Sequence, residues 1–335
     1  MRIKLLIVFF IATMSLQASW SEYKSLYIAK DGRVIDRANF DITHSEGIGY
    51  AMYFAIKNSD FKSFSKIHNW YENNLKKNKF GLISWKWGKD DNGIWSILDS
   101  NDATDGDLWI AYDNLLMYEI TRNVAYKSEA LKLMQSIKKH LLVKQAGSLY
   151  LLPGSLGFRN KNSIEINLSY YVFFIFDKFK EYDKDKVWSS LKDDGIRLLY
   201  KARFTSLKLN ADWISVDKYT QRVSLSRNHS FGFDAIRIPF NILKSKIKNK
   251  NSLLEPYKNY LNAMKSAKSV FGVCDLKSGS ISLYDYSYAH LSIYNMLDKY
   301  FNKSESFSTR LSKLKGKNKD DYYAYSIYLF TTFNK

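Results

Sequence analysis

The amino-acid sequence predicts an all-α fold, with helices paired as antiparallel hairpins in a single domain. Apolar residues recur at helical spacing along most of the 335 residues. The chain has only 3 prolines and 15 glycines, too few for a turn-rich all-β protein. No stretch rich in proline and serine divides it into two parts. Helices of this number and length can close into a double-layered barrel, whose loops at one end frame a groove.

Residues 1–18 have the pattern of a secretory signal peptide. Arg2 and Lys4 precede an apolar segment from Leu5 to Met14, and small or polar residues follow it up to Ala18. The apolar segment is too short to span a bilayer as a helix. We therefore expect a mature chain of residues 19–335 that is periplasmic or secreted and has no stable membrane insertion. An uncleaved N-terminal anchor is the alternative.

Hydrophobic periodicity predicts ten helices in the mature chain, separated by three short extended segments. The helices are expected over residues 45–58, 60–77, 105–122, 128–142, 167–180, 184–202, 233–246, 252–269, 285–301 and 320–333. The extended segments are expected over residues 82–87, 148–152 and 280–283, in the loops at the active-site end. No strand is followed by a glycine-rich turn and a helix, so a dinucleotide-binding or P-loop fold is not supported.

The charge and the metal-ligating residues exclude several functional classes. The formal net charge is +18, but 40 of the 51 basic residues are lysines, spread over polar helix faces. Arginine is the residue suited to reading phosphates and bases, so a nucleic-acid partner is not expected. One interpretation is that the lysines form a solvated surface. The other is that they attract an acidic polymer or the surface of a cell envelope. With one cysteine, Cys274, and five scattered histidines, neither a metal site nor another cofactor is expected.

Three acidic residues stand at predicted helix starts, each among glycines or other small residues. Glu46 lies in HSEGIGY, Asp105 in NDATDGD and Asp234 in FGFDAIR. One interpretation is structural: Ser45 and Thr104 are good N-caps, and a carboxylate in the first turn complements the helix dipole. The other is functional, because a barrel can gather three helix N-termini at one mouth.

These motifs resemble those of glycoside hydrolase family 8. The stretches that carry the resemblance are HSEGIGYAM, ATDGDLWIAYDNLL and FGFDAIRIP, with weaker matches at LISWKW, YLLPGSLGF, NLSYYVF and DYYAYSIYLF. The resemblance runs from about residue 32 to residue 333. It implies an (α/α)6 barrel and inverting endo-hydrolysis of a β-1,4-linked polysaccharide such as cellulose. The family includes periplasmic cellulases encoded with bacterial cellulose synthases, so an exopolysaccharide synthase complex is an implied partner.

The resemblance also implies the roles of the acids. Glu46 would be the general acid, Asp234 the general base, and Asp105 the residue that positions the sugar at the cleavage point. Arg237 lies one helical step beyond Asp234, close enough to orient it or to bind a hydroxyl. A helix N-terminus lowers the pKa of a carboxyl group. A general acid at that position therefore needs a neighbouring group that raises its pKa again. We expect Asp105 to raise the pKa of Glu46.

Aromatic side chains are expected to contact the substrate, because sugar rings present apolar C–H faces. Trp85 and Trp87 lie two residues apart in an extended segment. We expect at most one of them to line the groove directly, with Trp87 preferred. Tyr170 is the next candidate. Core packing is the alternative for each, and it is the expectation for Tyr322 and Tyr323.

The leading hypothesis is a secreted endo-β-1,4-glucanase, and several alternatives stay open. Xylan, chitosan and mixed-linkage glucan are other possible substrates for the same fold, although a basic surface suits cationic chitosan poorly. A catalytically silent glycan-binding protein is an alternative from a different functional class. An assay for new reducing ends separates that protein from an enzyme.

Overall fold

The computed structural model describes residues 19–75, 77–284, 286–315 and 321–333. The predicted signal peptide lies outside these residues. The described residues contain twelve α-helices, in the following order: α1 (residues 19–27), α2 (Ser45–Lys57), α3 (Phe61–Asn74), α4 (Thr104–Thr121), α5 (Val124–His140), α6 (Phe173–Asp183), α7 (Val187–Lys201), α8 (Ile238–Lys244), α9 (Lys250–Ser266), α10 (Tyr288–Asn302), α11 (Ser308–Lys315) and α12 (Tyr322–Thr332).

The even-numbered helices form the inner layer of a barrel. Helix α2 contacts α4, and contacts continue through α6, α8, α10 and α12 back to α2, which closes the ring. The odd-numbered helices α3, α5, α7, α9 and α11 each pack against the inner helix that precedes them. The predicted all-α double-layered barrel is therefore confirmed. Within the described residues, no helix combines the length and apolarity required to cross a bilayer.

Short strands occupy the connections that lead into the inner helices. They are β1 (Thr43–His44), β2 (Ser84–Lys89), β3 (Trp95–Asp102), β4 (Leu142–Gln145), β5 (Ser148–Leu151), β6 (Ser163–Asn167), β7 (Trp213–Asp217), β8 (Val223–Leu225), β9 (Ser230–Phe231) and β10 (Cys274–Asp275). They pair antiparallel as β1-β2-β3, β4-β5, β6-β7-β8 and β9-β10. Two predicted extended segments correspond to β2 and β5, whereas residues 280–283 contribute only an isolated bridge from Ile281 to Cys274.

Two inner helices, α6 and α8, begin at least five residues later than the periodicity predicts. The segment predicted to be helical from residue 167 starts with the 3-10 turn Leu168–Tyr170, and α6 follows it. The segment predicted from residue 233 starts with the 3-10 turn Ala235–Arg237, and α8 follows with Pro239 in its first turn. Proline fits there because the first-turn amide has no intrahelical partner. Residues of these turns thus project from short irregular segments at the barrel mouth.

Candidate active site

A buried guanidinium group gathers the predicted acids at the barrel mouth. Arg237 Nη1 donates to Glu46 Oε2 at 2.5 Å and lies 3.4 Å from Asp105 Oδ2. Its Nη2 donates to Asp234 Oδ1 at 2.5 Å. Glu46 belongs to α2, Asp105 to α4, and the other two residues to the segment before α8. The structure therefore brings together all three acids and the arginine that the sequence singled out.

Two neutral groups complete the surroundings of this arginine. Tyr50 OH lies 2.9 Å from Nη1, and Ser169 Oγ lies 2.8 Å from Nη2. Ser169 is held by Asn167, whose Oδ1 accepts from the backbone N and from Oγ of that serine. The ring centroid of Tyr170 lies 5.6 Å from the guanidinium carbon. Tyr170 therefore lies beside the acid cluster, and Tyr50 and Ser169 are additional neighbours that sequence reasoning missed.

The helix-capping interpretation of the first two motifs is wrong. Helix α2 begins at Ser45, whose Oγ has no hydrogen-bond partner. Helix α4 begins at Thr104, whose Oγ1 donates to the backbone carbonyl of Leu152 at 2.6 Å instead of capping the helix. A Cβ on Gly106 would lie 2.2 Å from Ser45 Oγ. Glycine therefore lets the first turns of α2 and α4 pack directly against each other, which brings their acids together.

Glu46 and Asp105 form a hydrogen-bonded carboxyl pair with opposite pKa shifts. Burial raises the pKa of Asp105 well above its usual range, and the charge of Glu46 raises it further. Burial also acts to raise the pKa of Glu46, but the Arg237 charge and the hydrogen bond from Asp105 outweigh it and lower this pKa. The prediction of a raised pKa for Glu46 is therefore wrong.

Asp234 is the most accessible of the three acids, with 30% of its side chain exposed. Burial raises its pKa, the charge of Arg237 opposes that rise, and the charge of Asp212 adds to it. Asp212 is buried, and its Oδ1 accepts from the backbone N of Gly232 at 3.0 Å and of Ala235 at 2.7 Å. A Cβ on Gly232 would lie 2.7 Å from Asp212 Oδ2. Asp212 thus fixes the segment that carries Asp234, a role without any signal in the sequence.

Two tyrosines at the start of α12 also reach the site. Tyr322 is buried, as predicted, but its OH donates to Glu46 Oε1 at 3.1 Å. The same OH is hydrogen-bonded to His44 Nδ1 at 3.1 Å. Tyr323 OH donates to the backbone carbonyl of Phe233, next to the predicted base. The prediction of core packing alone is therefore incomplete, because both hydroxyls support the segments that carry the acids.

The two predicted platform tryptophans have different surroundings. The Trp85 ring lies 5.6 Å from the His44 ring, near Glu46. Trp87 instead stacks on Trp95 at 4.8 Å and meets the edge of Trp70 at 5.1 Å. The pairing of β2 with β3 shifts register twice between residues 84 and 87, and such irregularities redirect side chains. These contacts favour Trp85, not Trp87, as the ring closer to the acids.

The geometry suits acid–base chemistry. The Glu46–Asp105 pair can hold and release one proton, and Asp234 is an accessible carboxyl group on the opposite nitrogen of the same guanidinium. Glycoside hydrolysis requires two carboxyl groups on either side of the scissile bond, with one of them protonated. Aromatic rings beside such a cluster provide faces on which sugars stack.

Known proteins share both the sequence pattern and the fold. The family model described as glycosyl hydrolases family 8 matches residues 2–335. The chain is 30% identical over 276 residues to a probable endoglucanase from Novacetimonas hansenii, covering 82% of this chain and 80% of that one. The endo-β-1,4-glucanase CMCax from Acetobacter xylinum superposes with a TM-score of 0.83 at 27% identity, covering 95% of this chain and 97% of that one. The endo-1,4-D-glucanase from Vibrio fischeri ES114 gives a TM-score of 0.84 at 26% identity, with 93% of each chain covered.

Proposed function

The chain belongs to glycosyl hydrolase family 8, and from this premise we propose that it is an endo-β-1,4-glucanase acting on internal linkages of a glucan such as cellulose. The observation that carries the proposal is the single guanidinium of Arg237, which binds Glu46 and Asp234 and lies beside Asp105 at the barrel mouth. The relatives described as endoglucanases support a β-1,4-glucan as the substrate.

We propose an inverting mechanism with Glu46 as general acid and Asp234 as general base. Opposite nitrogens of Arg237 bind the two carboxyl groups, so a guanidinium and two hydrogen bonds lie between them. Inverting enzymes separate their carboxyl groups by about 6.5–9.5 Å, which leaves room for the attacking water. Asp234 takes a proton from this water, whose oxygen attacks the anomeric carbon while Glu46 protonates the leaving oxygen.

The carboxyl pair explains how Glu46 acquires its proton. We propose that Asp105 holds the shared proton in the free protein, because Arg237 lies closer to Glu46 than to Asp105. Sugar hydroxyls that donate to Asp105 stabilise its charged form and lower its pKa. The proton then passes along the existing hydrogen bond to Glu46, which becomes the acid. Asp105, now charged, holds the sugar at the cleavage point.

Substrate contacts are proposed for two aromatic rings beside the acids. Trp85 lies next to His44, and Tyr170 faces Arg237. Both rings are only partly buried, so each has a surface that a sugar can contact. Stacking on these rings would hold the sugars of the glucan that lie next to the scissile bond.

We propose that the protein acts in the periplasm or outside the cell, beside an exopolysaccharide synthase complex. The support is the signal-peptide pattern of residues 1–18, with its basic start and apolar segment. Cell fractionation followed by N-terminal sequencing of the recovered protein tests this location. Recovery of an uncleaved chain from the cytoplasm would contradict it.

The activity is tested with a panel of soluble β-glucans, xylan and chitosan, followed by sizing of the products. An endo-β-1,4-glucanase yields a spread of oligosaccharides from the β-1,4-glucan. Release of monosaccharide alone contradicts endo-action, and preference for xylan, chitosan or mixed-linkage glucan changes the substrate. Binding without new reducing ends indicates a silent glycan-binding protein.

The roles of the acids are tested with Glu46→Gln and Asp234→Asn. Each should lower turnover by at least about 10²-fold, because general acid or base catalysis typically contributes 10²–10⁴-fold. A substrate with an activated leaving group needs no protonation, so it should restore the turnover of Glu46→Gln but not of Asp234→Asn. Rescue of Asp234→Asn alone would mean that the two roles are reversed. Asp113→Asn, at another buried carboxyl group of α4, is the matched control and should keep turnover.

A further inference from the structure

We propose that Trp95, at the tip of the β2–β3 hairpin, is a second binding platform for the glucan chain at a distance from the acids. The proposal rests on the proposed function, because its occupant is a distant part of the chain that the acids cleave. The occupant is a neutral β-linked glucan, whose sugars present apolar C–H faces to indole rings.

The Trp95 ring is exposed but held in a fixed orientation. The residue is 41% exposed, and its ring stacks on Trp87 with an interplanar angle of 12°. Trp87 in turn meets Trp70 of α3 edge-on at an angle of 87°, and Trp70 is buried. A chain of three indole rings thus runs from the barrel wall to the surface. The outermost ring is supported from beneath and stays open to solvent.

Two cations lie over this stack, and one of them, Lys89, has its Nζ 5.3 Å from the Trp95 centroid. The Arg33 guanidinium carbon lies 4.6 Å from the Trp95 centroid and 5.4 Å from the Trp87 centroid. Arg33 Nη1 donates to the backbone carbonyl of Asp41 at 2.8 Å, which fixes the guanidinium. Binding to a side chain that is already ordered costs little conformational entropy. A prearranged aromatic plane of this kind suits a weakly bound neutral ligand.

The hairpin connects this platform to the active site. Trp85 lies beside His44 at one end of β2, and Lys89 at the other end pairs with Trp95. The four residue steps from Trp85 to Lys89 span roughly 13 Å of backbone at about 3.3 Å per residue. The proposal therefore requires a glucan that extends along the hairpin beyond the sugar at the acids, as a long chain does.

The test compares Trp95→Ala with the wild-type protein on a short chromogenic cello-oligosaccharide and on a long soluble β-glucan. The ratio of kcat/KM for the long substrate to that for the short one should fall roughly 3–10-fold, the size of one lost stacking contact. Trp95→Tyr keeps a stackable ring and should retain most of the wild-type ratio. A ratio within twofold of wild type for Trp95→Ala would overturn the proposal.

Tyr200→Ala is the matched control. Tyr200 is 40% exposed and has Arg203 4.7 Å from its ring centroid, but it lies on α7 and not on the β2–β3 hairpin. Its substitution should leave the long-to-short ratio unchanged. An equal fall for both variants would indicate a general effect of removing an exposed ring and would also overturn the proposal.

A binding measurement separates this proposal from the proposed function. Calorimetric titration with the long glucan is made on Glu46→Gln, with and without Trp95→Ala. Weaker binding in the double variant supports the platform even if the wild-type protein cleaves no glucan. Cleavage by the wild-type protein together with equal binding by both variants supports the enzyme and rejects the platform. If the exposed ring serves a protein partner instead, glucan binding is likewise unaffected.

Discussion

Replacing Arg237 with methionine should shift the whole pH–rate profile to higher pH. The guanidinium charge acts to lower the pKa of both Glu46 and Asp234, so its removal raises both. Two unit charges about 4 Å apart interact by about 4 kcal/mol at an effective dielectric constant of about 20. This energy corresponds to roughly 3 pKa units for one isolated pair. Because the charge is shared among several carboxyl groups, we expect each limb to move by at least about one unit.

The assay is kcat/KM on a soluble β-glucan as a function of pH. In the proposed mechanism the acidic limb reports ionisation of Asp234, and the basic limb reports loss of the proton shared by Glu46 and Asp105. Both limbs of the profile should move to higher pH in Arg237→Met. Arg197→Met is the control, because Arg197 has 62% of its side chain exposed and pairs with Asp194 on α7. It should leave both limbs in place.

Stability should change in a matching, pH-dependent way. Removing one partner of a buried ion pair typically costs about 3–5 kcal/mol, because the remaining charge is uncompensated. The lowered pKa of Glu46 means that its pairing contributes stability above the unfolded pKa, and that this contribution is lost as the pH falls. Urea unfolding should therefore show a larger loss for Arg237→Met at pH 7 than near pH 4. Unmoved limbs, or a loss independent of pH, would refute this account of the cluster.

Two further predictions concern buried titratable groups away from the acids. Asp113 is fully buried, neither of its side-chain oxygens has a hydrogen-bond partner, and burial raises its pKa. Asp113→Asn should therefore raise the free energy of unfolding at pH 7 by about 1–3 kcal/mol. Urea titrations should show that this gain vanishes near pH 4. Burial lowers the pKa of His290 to about 4, so the native state loses stability as the pH falls from about 6.5 to 4. His290→Gln keeps a side chain able to form the capping box with Ser287, and it should reduce that loss of stability by up to about 3 kcal/mol. The measurement is the thermal unfolding midpoint at pH values between about 6.5 and 4. The same pH dependence of the midpoint in the variant and the wild type would contradict the role given to His290.

The sequence by itself determined the helical class and singled out the three acids that the structure brings together. Hydrophobic periodicity depends on neighbours three and four residues away, so it predicts helices without reference to the rest of the chain. The glycine-flanked motifs around Glu46, Asp105 and Asp234 are also short segments that can be identified without reference to the rest of the chain. The periodicity was less informative about β3 and β6–β8, because these strands are short and lie in the connections between helices.

Only the tertiary structure decided how these groups act on one another. The hydrogen bond between Arg237 and Glu46 joins residues 191 positions apart, and the one between Tyr322 and Glu46 joins residues 276 apart. Closure of the inner helical ring makes both bonds possible, and no local pattern records it. The same closure places Arg237 closer to Glu46 than to Asp105, and it helps to lower the pKa of Glu46 while burial and the charge of Glu46 raise the pKa of Asp105. A pKa depends on every nearby charge in space, and that is why the sequence could name the acids but not their protonation.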